Sequence, residues 1–146
     1  MNNEPANYKQ TQLSRVRGLA SEQFFASKYH SWIENEDQQL LPPTLDRGWD
    51  FMVSRNGKTI QVKRFNPIGK NRNQNNIKLK RTRTASGNYT ANAWDYLVVH
   101  NIINDDLIVA DVAQCLNTEG KMKTSVSCYP TRKSKGLTNL GFEVFK

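Results

Sequence analysis

Two short strand-like runs, Asp50-Phe51-Met52-Val53 and Thr59-Ile60-Gln61-Val62-Lys63, stand on either side of Asn56-Gly57. No other stretch restricts the fold of this chain so tightly. Asn-Gly is the dipeptide most strongly tied to two-residue hairpin turns, because both turn positions need positive φ. With Asn56 and Gly57 as the turn, the register is set. Arg55 faces Lys58, Val53 faces Ile60, Met52 faces Gln61, and Asp50 faces Lys63. Side chains alternate along a strand, so Asp50, Met52, Gln61 and Lys63 share one face. Phe51, Val53, Ile60 and Val62 share the other, apolar face. The pattern predicts a carboxylate, an amide oxygen and an ammonium gathered on one hairpin and backed by a hydrophobic layer.

Charge sets this hairpin apart. No acidic residue occurs from Phe51 to Trp94, and ten of the 21 Lys and Arg lie from Arg55 to Arg83. A formal net charge of +8, concentrated in this way, points to a polyanionic partner, most often nucleic acid. A length of 146 residues suits one domain with one sizeable core. We expect a single domain over 1–146, with a polar leader at 1–11 and a basic loop and ribbon inserted at 65–94. Cys115 and Cys128 make neither a disulfide framework nor a zinc site, since there is no CxxC and His30 and His100 are isolated. Buried reduced thiols are the expectation. The N-terminus lacks the apolar core of a secretory signal, and no run reaches transmembrane length, so a cytoplasmic protein without a membrane partner is expected.

Periodicity supplies the remaining elements. A helix is predicted over about Leu13 to Trp32, with one stripe of Leu13, Val16, Ala20 and Phe24 and a second of Gly18, Glu22, Phe25, Tyr29 and Trp32. Leu40-Leu41-Pro42-Pro43 cannot be helical and leads into the hairpin. Ile77 to Arg81 alternates and predicts a strand with a basic face. Tyr96 to His100 reads as a central strand, joined through Asn104-Asp105 to another at Leu107 to Ala110. Asp111 can cap a short helix through about Leu116. Phe142 to Phe145 reads as a final strand. This order predicts an α/β or α+β fold around a mixed central sheet flanked by helices.

Phosphodiester hydrolysis needs an activated water, in-line attack and charge neutralisation at phosphorus. Magnesium takes hard oxygen ligands and keeps several waters, so one or two carboxylates suffice. Asp50 is the obvious ligand. The Val62 carbonyl and the neutral oxygen of Gln61 are further donors. A second negative charge is then needed, and Glu22 is the best candidate: its stripe faces the sheet, and Gly18 one turn earlier would permit close packing. Lys63 can orient or deprotonate the water, or neutralise developing charge. An Asp opposite a Lys is also an ordinary cross-strand ion pair worth a few tenths of a kcal/mol.

These residues together resemble the PD-(D/E)xK nuclease superfamily. The matching stretches are Arg17-Gly18-Leu19-Ala20-Ser21-Glu22, Gly48-Trp49-Asp50-Phe51-Met52-Val53 and Ile60-Gln61-Val62-Lys63. Gln61 departs from the core pattern and is similar to the QxK variant of Mrr-like restriction enzymes and of small intron, phage and cyanobacterial homing endonucleases. The small size and tight hairpin look most like that homing group. The resemblance implies a restriction-endonuclease-like core, with Glu22, Asp50 and Gln61 on the metal and Lys63 serving the attacking water. The cofactor it implies is Mg2+, with Mn2+ as a substitute.

Recognition residues are expected around the basic span. Lys70, Arg72, Asn73, Gln74 and Asn76 have the mix that reads base edges, and Arg55, Lys58, Arg64, Lys78, Lys80, Arg81 and Arg83 extend it. Arg132, Lys133 and Lys135 form a second basic loop suited to backbone phosphates. Tyr89 and Trp94 can stack on bases or pack in the core. A double-strand cut by a one-site chain implies a homodimer or homotetramer, for which Leu137, Leu140, Phe142 and Phe145 offer contacts if they do not complete the core. The first expectation is therefore a metal-dependent, site-specific endonuclease of double-stranded DNA, of homing type. The alternatives are a structure-selective nuclease such as a Holliday junction resolvase, a catalytically inactive basic DNA-binding protein, and an RNA-binding module.

Overall fold

The computed structural model of the chain describes residues 4–34, 38–44, 48–67, 75–79 and 91–146, with side chains in the first stretch from residue 12 onward, residue 14 excepted. A helix, α1, runs over Glu4–Trp32. It ends where expected but begins well ahead of Leu13, inside the segment expected as a leader. Those early turns are polar and carry no apolar period, so the pattern could not show them. Pro5 lies in the first turn, where a missing N–H removes no helical bond. Only the second stripe of α1 faces the protein interior, with Phe25 and Tyr29 fully buried. In the first stripe Leu13 and Val16 are exposed, and Phe24 stacks on His100 with ring centroids 4.3 Å apart. Gly18 permits no close approach, since a Cβ there would meet nothing within 4 Å.

Seven strands follow among the described residues: β1 (Leu40–Leu41), β2 (Phe51–Val53), β3 (Thr59–Phe65), β4 (Asn76–Lys78), β5 (Tyr96–Asn101), β6 (Leu107–Asp111) and β7 (Ser125–Ser127). Five of them form a mixed sheet in the order β1-β2-β3-β5-β6, in which β3 and β5 are parallel and the other pairs antiparallel. The fold is thus α+β around a mixed central sheet, as expected, with a single α-helix among the described residues rather than several. No helix among the described residues is long and apolar enough to cross a membrane.

The hairpin register differs from the expected one. Phe51 pairs with Ile60 and Met52 with Thr59, so Val53 lies opposite Lys58 rather than Ile60. The loop has four residues, Ser54 to Gly57. It is closed by the Gly57 N–H on the Val53 carbonyl (2.9 Å) and the Val53 N–H on the Lys58 carbonyl (2.8 Å). Asn56 stabilises the longer loop. Its Oδ1 accepts from the Lys58 N–H at 3.0 Å and its Nδ2 donates to the Phe145 carbonyl at 3.2 Å. Gly57 alone takes the positive φ, +71°. The slip from the expected register is two residues. An even slip leaves every side chain on its face, so the predicted division of faces survives.

The apolar face of the hairpin and the α1 stripe make one core: Val53, Ile60 and Val62 join Phe25, Tyr29, Val98, Val109 and Phe145. Each such side chain contributes about 1.5–3 kcal/mol by burial. The other sheet face carries a second core, which includes Phe65, Leu97, Val99, Ile108 and Trp94. Trp94 is therefore a packing residue. Cys115 and Cys128 are free and buried here, and burial pushes both thiols up to about 12. Asp111 caps a 3-10 helix, Val112–Cys115, accepting from the Gln114 N–H at 3.2 Å.

One expectation is corrected at the periphery. The final strand is a 3-10 helix, Phe142–Phe145, entered through Gly141 at φ 73°. It drops Phe145 into the first core, where Phe142 also packs, so neither residue is left as a free oligomer contact. Of the ribbon expected over 65–94, the strand carrying Lys78 is described, while 68–74 and 80–90 lie outside the described residues. β4 pairs with β7 in a separate two-stranded sheet, and Ile77, Leu79 and Val126 fasten it to the second core.

Candidate active site

At Asp50 the hairpin ladder changes character. The Asp50 N–H still bonds the Ile60 carbonyl at 2.8 Å. The next ladder position on β3, the Val62 N–H, is taken by the Asp50 carboxylate at 2.8 Å instead of by a backbone carbonyl. The side chain therefore lies in the gap where β2 parts from β3. A residue's N–H and C=O leave a strand on the same side, so the Val62 carbonyl faces that gap too. Gln61, opposite Asp50 in the observed register, is buried and its Nε2 donates to the Val62 carbonyl at 3.2 Å.

α1 delivers the second carboxylate. It runs antiparallel to β3: its C-terminal Tyr29 packs on Phe145, which in turn meets Tyr96 at the start of β5, while Ser21 reaches His100 near the end of that strand. The turn between carries Glu22 to Asp50. Glu22 is half-buried, shares a hydrogen bond with Asp50, and is pushed up to about 8. Burial is the largest cause, followed by that hydrogen bond and by the charge of Asp50. Two carboxylates held this close cannot both stay ionised without a cation. Lys63 is near enough to feel Asp50. Burial lowers its amine below the usual lysine range, and the charge of Asp50 opposes that shift.

Glu22, Asp50, Gln61, Val62 and Lys63 therefore come together around the mouth of the hairpin. Asp50 and Lys63 are diagonal rather than opposed, which the two-residue slip accounts for. The donors present are hard oxygens: two carboxylates, one amide and one carbonyl. Among the described residues no three Asp, Glu, His or Cys side chains converge. The set suits an ion that retains much of its water, as Mg2+ does, better than one that needs a full protein cage.

The expected recognition residues are scattered. Lys70, Arg72, Asn73, Gln74, Lys80, Arg81 and Arg83 lie outside the described residues, as does Tyr89. Arg55, Lys78, Arg132, Lys133 and Lys135 are exposed. Asn76 accepts from the Ser127 hydroxyl at 3.0 Å. Lys58 is occupied at the far end of β3. Its Nζ donates to the Val144 carbonyl at 2.6 Å and lies 5.6 Å from the Tyr96 ring centroid.

One contributor escaped the sequence. His100 is buried, receives Ser21 Oγ on Nδ1 at 2.9 Å and meets Asp105 on Nε2 at 2.8 Å. Asp105 adopts φ 60°, which presents its carboxylate to the ring. The relay pins α1 to β5 one residue before Glu22, so it fixes where that carboxylate points. Ser21 and His100 are 79 positions apart, and no local pattern links them.

No protein-family model and no curated protein matches the chain. Its fold is similar to that of a solved bacterial homing endonuclease, I-Ssp6803I. The TM-score is 0.57 over 82% of this chain and 80% of that one, at 19% sequence identity. At that identity the likeness is one of fold.

Proposed function

We propose that the chain is a divalent-metal-dependent endonuclease that cuts double-stranded DNA at specific sites, in the manner of a homing enzyme. The observation that carries this reading is the meeting of Glu22 and Asp50 beside Lys63 at the open end of the hairpin. The fold shared with a bacterial homing endonuclease supports it, as does the basic, acid-free span that follows the site.

In this reading Asp50, Glu22, the Gln61 amide and the Val62 carbonyl hold Mg2+, or Mn2+ in its place. The bound ion would supply Lewis-acid polarisation of the phosphate and acidify a water. The residues do the rest. Glu22 would have to be ionised to hold the ion, which would link metal affinity to pH. Asp50, locked by the Val62 N–H, keeps one orientation throughout. Lys63, held below its ordinary value by burial, is suited to take a proton from the attacking water. The exposed Arg55, Lys78, Arg132, Lys133 and Lys135, with the basic segment beyond Pro67, would hold phosphates. A cut in both strands needs two such sites, so the working form would be a homodimer or homotetramer.

The test is digestion of plasmid or phage DNA with Mg2+ and with EDTA, followed by sequencing of the fragment ends. Discrete recurring ends in Mg2+ alone support the proposal. Intact DNA in both overturns it. Faster cutting of a four-way junction than of linear duplex would move the assignment to a structure-selective nuclease.

A further inference from the structure

Arg64 follows Lys63 on β3, so its side chain takes the opposite, helix-facing side of the sheet. Its register partner on β5 is His100, and His100 bonds Ser21 of α1 at 2.9 Å. Arg17 lies one helical turn before Ser21, on the same helix face. Register and periodicity thus bring both guanidiniums to one end of the α1–β3 contact. Arg17 is exposed and Arg64 half-buried. Among the described residues the ion pairs join His100 to Asp105, Lys121 to Glu119 and Lys146 to Glu143, and neither arginine takes part in one. Two like charges thus lie at one end of the α1–β3 contact, one half-buried, and neither forms an ion pair among the described residues.

Such a pair costs stability in the free protein and returns it when an anion arrives. A guanidinium fork matches the oxygens of a phosphate, and two forks can share one. The location is specific as well. The pair lies along β3 beyond the Glu22–Asp50 site, towards the root of the basic segment that begins after Pro67. We propose that Arg17 and Arg64 clamp a single backbone phosphate of the DNA, beside the phosphodiester held at Glu22 and Asp50. This rests on the nuclease reading and adds to it a positioning contact that sets which linkage reaches the carboxylates.

The test is the salt dependence of binding to a short DNA duplex, with Ca2+ in place of Mg2+ so that binding is read without turnover. Arg17→Gln, Arg64→Met and the double variant are compared with wild type, whose cutting of plasmid in Mg2+ is measured in parallel. A contact to one phosphate adds about 0.9 to the slope of log K against log salt. One shared phosphate therefore predicts that the double variant loses about 0.9, with the single variants short of additivity and Arg64→Lys recovering most of the loss. Their melting temperatures should match or exceed wild type, because a repulsion has been removed. A double variant whose slope equals that of a wild type that cuts DNA overturns the clamp alone. A loss near 1.8 in the double variant overturns the shared phosphate in favour of two separate contacts. If Arg64→Met does not fold, Arg64→Gln takes its place in the double variant, and an unchanged slope there overturns the clamp. A wild type that neither binds nor cuts DNA overturns the nuclease reading, and the clamp with it.

Discussion

Replacing Glu22 by Gln should stabilise the metal-free protein, and by an amount that depends on pH. Glu22 has an ordinary value of 4.5 and is pushed up to about 8 in the folded chain. Between those values the unfolded chain has lost this proton while the native protein still binds it. Stability therefore falls as pH rises through that window, and the contribution is fully lost above about 8. The full linkage slope is about 1.4 kcal/mol per pH unit. Glu22 is only half-buried, so solvent screening reduces the cost to roughly 1–2 kcal/mol at pH 7. Glutamine keeps a donor for the bond to Asp50 and never ionises. The variant should match wild type near pH 4.5 and melt several degrees higher at pH 8, at about 3–5 °C per kcal/mol for a chain of this size. The assay is thermal unfolding in EDTA from pH 4.5 to 8.5. An advantage that does not change with pH, or a variant less stable than wild type at pH 8, would refute the carboxylate pairing. Mg2+ should close the gap by stabilising wild type more than the variant, since only wild type offers both charges.

Three further outcomes follow from packing and burial. Gly18→Ala should raise stability by about 0.5–1 kcal/mol in thermal or urea unfolding, because the helix gains a better former and the Cβ meets nothing. Phe145→Ala should cost about 3–5 kcal/mol in the same measurement, since that ring is fully buried against Phe25, Tyr29 and Tyr96. Cys115 and Cys128, both pushed up to about 12, should resist a thiol reagent at pH 8 in the native protein and react promptly in denaturant.

The division of faces on the hairpin was legible because the side-chain period of a strand is two. Asn56-Gly57 suggested a two-residue turn, yet Asn56 uses its side chain to bond Lys58 and Phe145 and so favours four. The resulting slip of two residues moved Lys63 from opposite Asp50 to diagonal, and moved no side chain to the other face. Phe142 to Phe145 misled for the opposite reason. Four residues fit a period of two as well as a turn of 3-10 helix, and only the core beneath α1 decides between them. The early turns of α1 carry no apolar signal at all. Arg17 and the Ser21–His100–Asp105 relay belong to a third kind. They become neighbours only once β3 and β5 are aligned in parallel under α1.

The most direct measurement is the Mg2+-dependent nicking rate of supercoiled plasmid by Asp50→Asn, alongside wild type and Lys63→Ala, with duplex binding recorded for each in Ca2+. The account predicts that both variants bind DNA nearly as wild type does and nick it at least about a hundredfold more slowly, the scale of losing one charge-stabilising group. Asp50→Asn that nicks at the wild-type rate would contradict it.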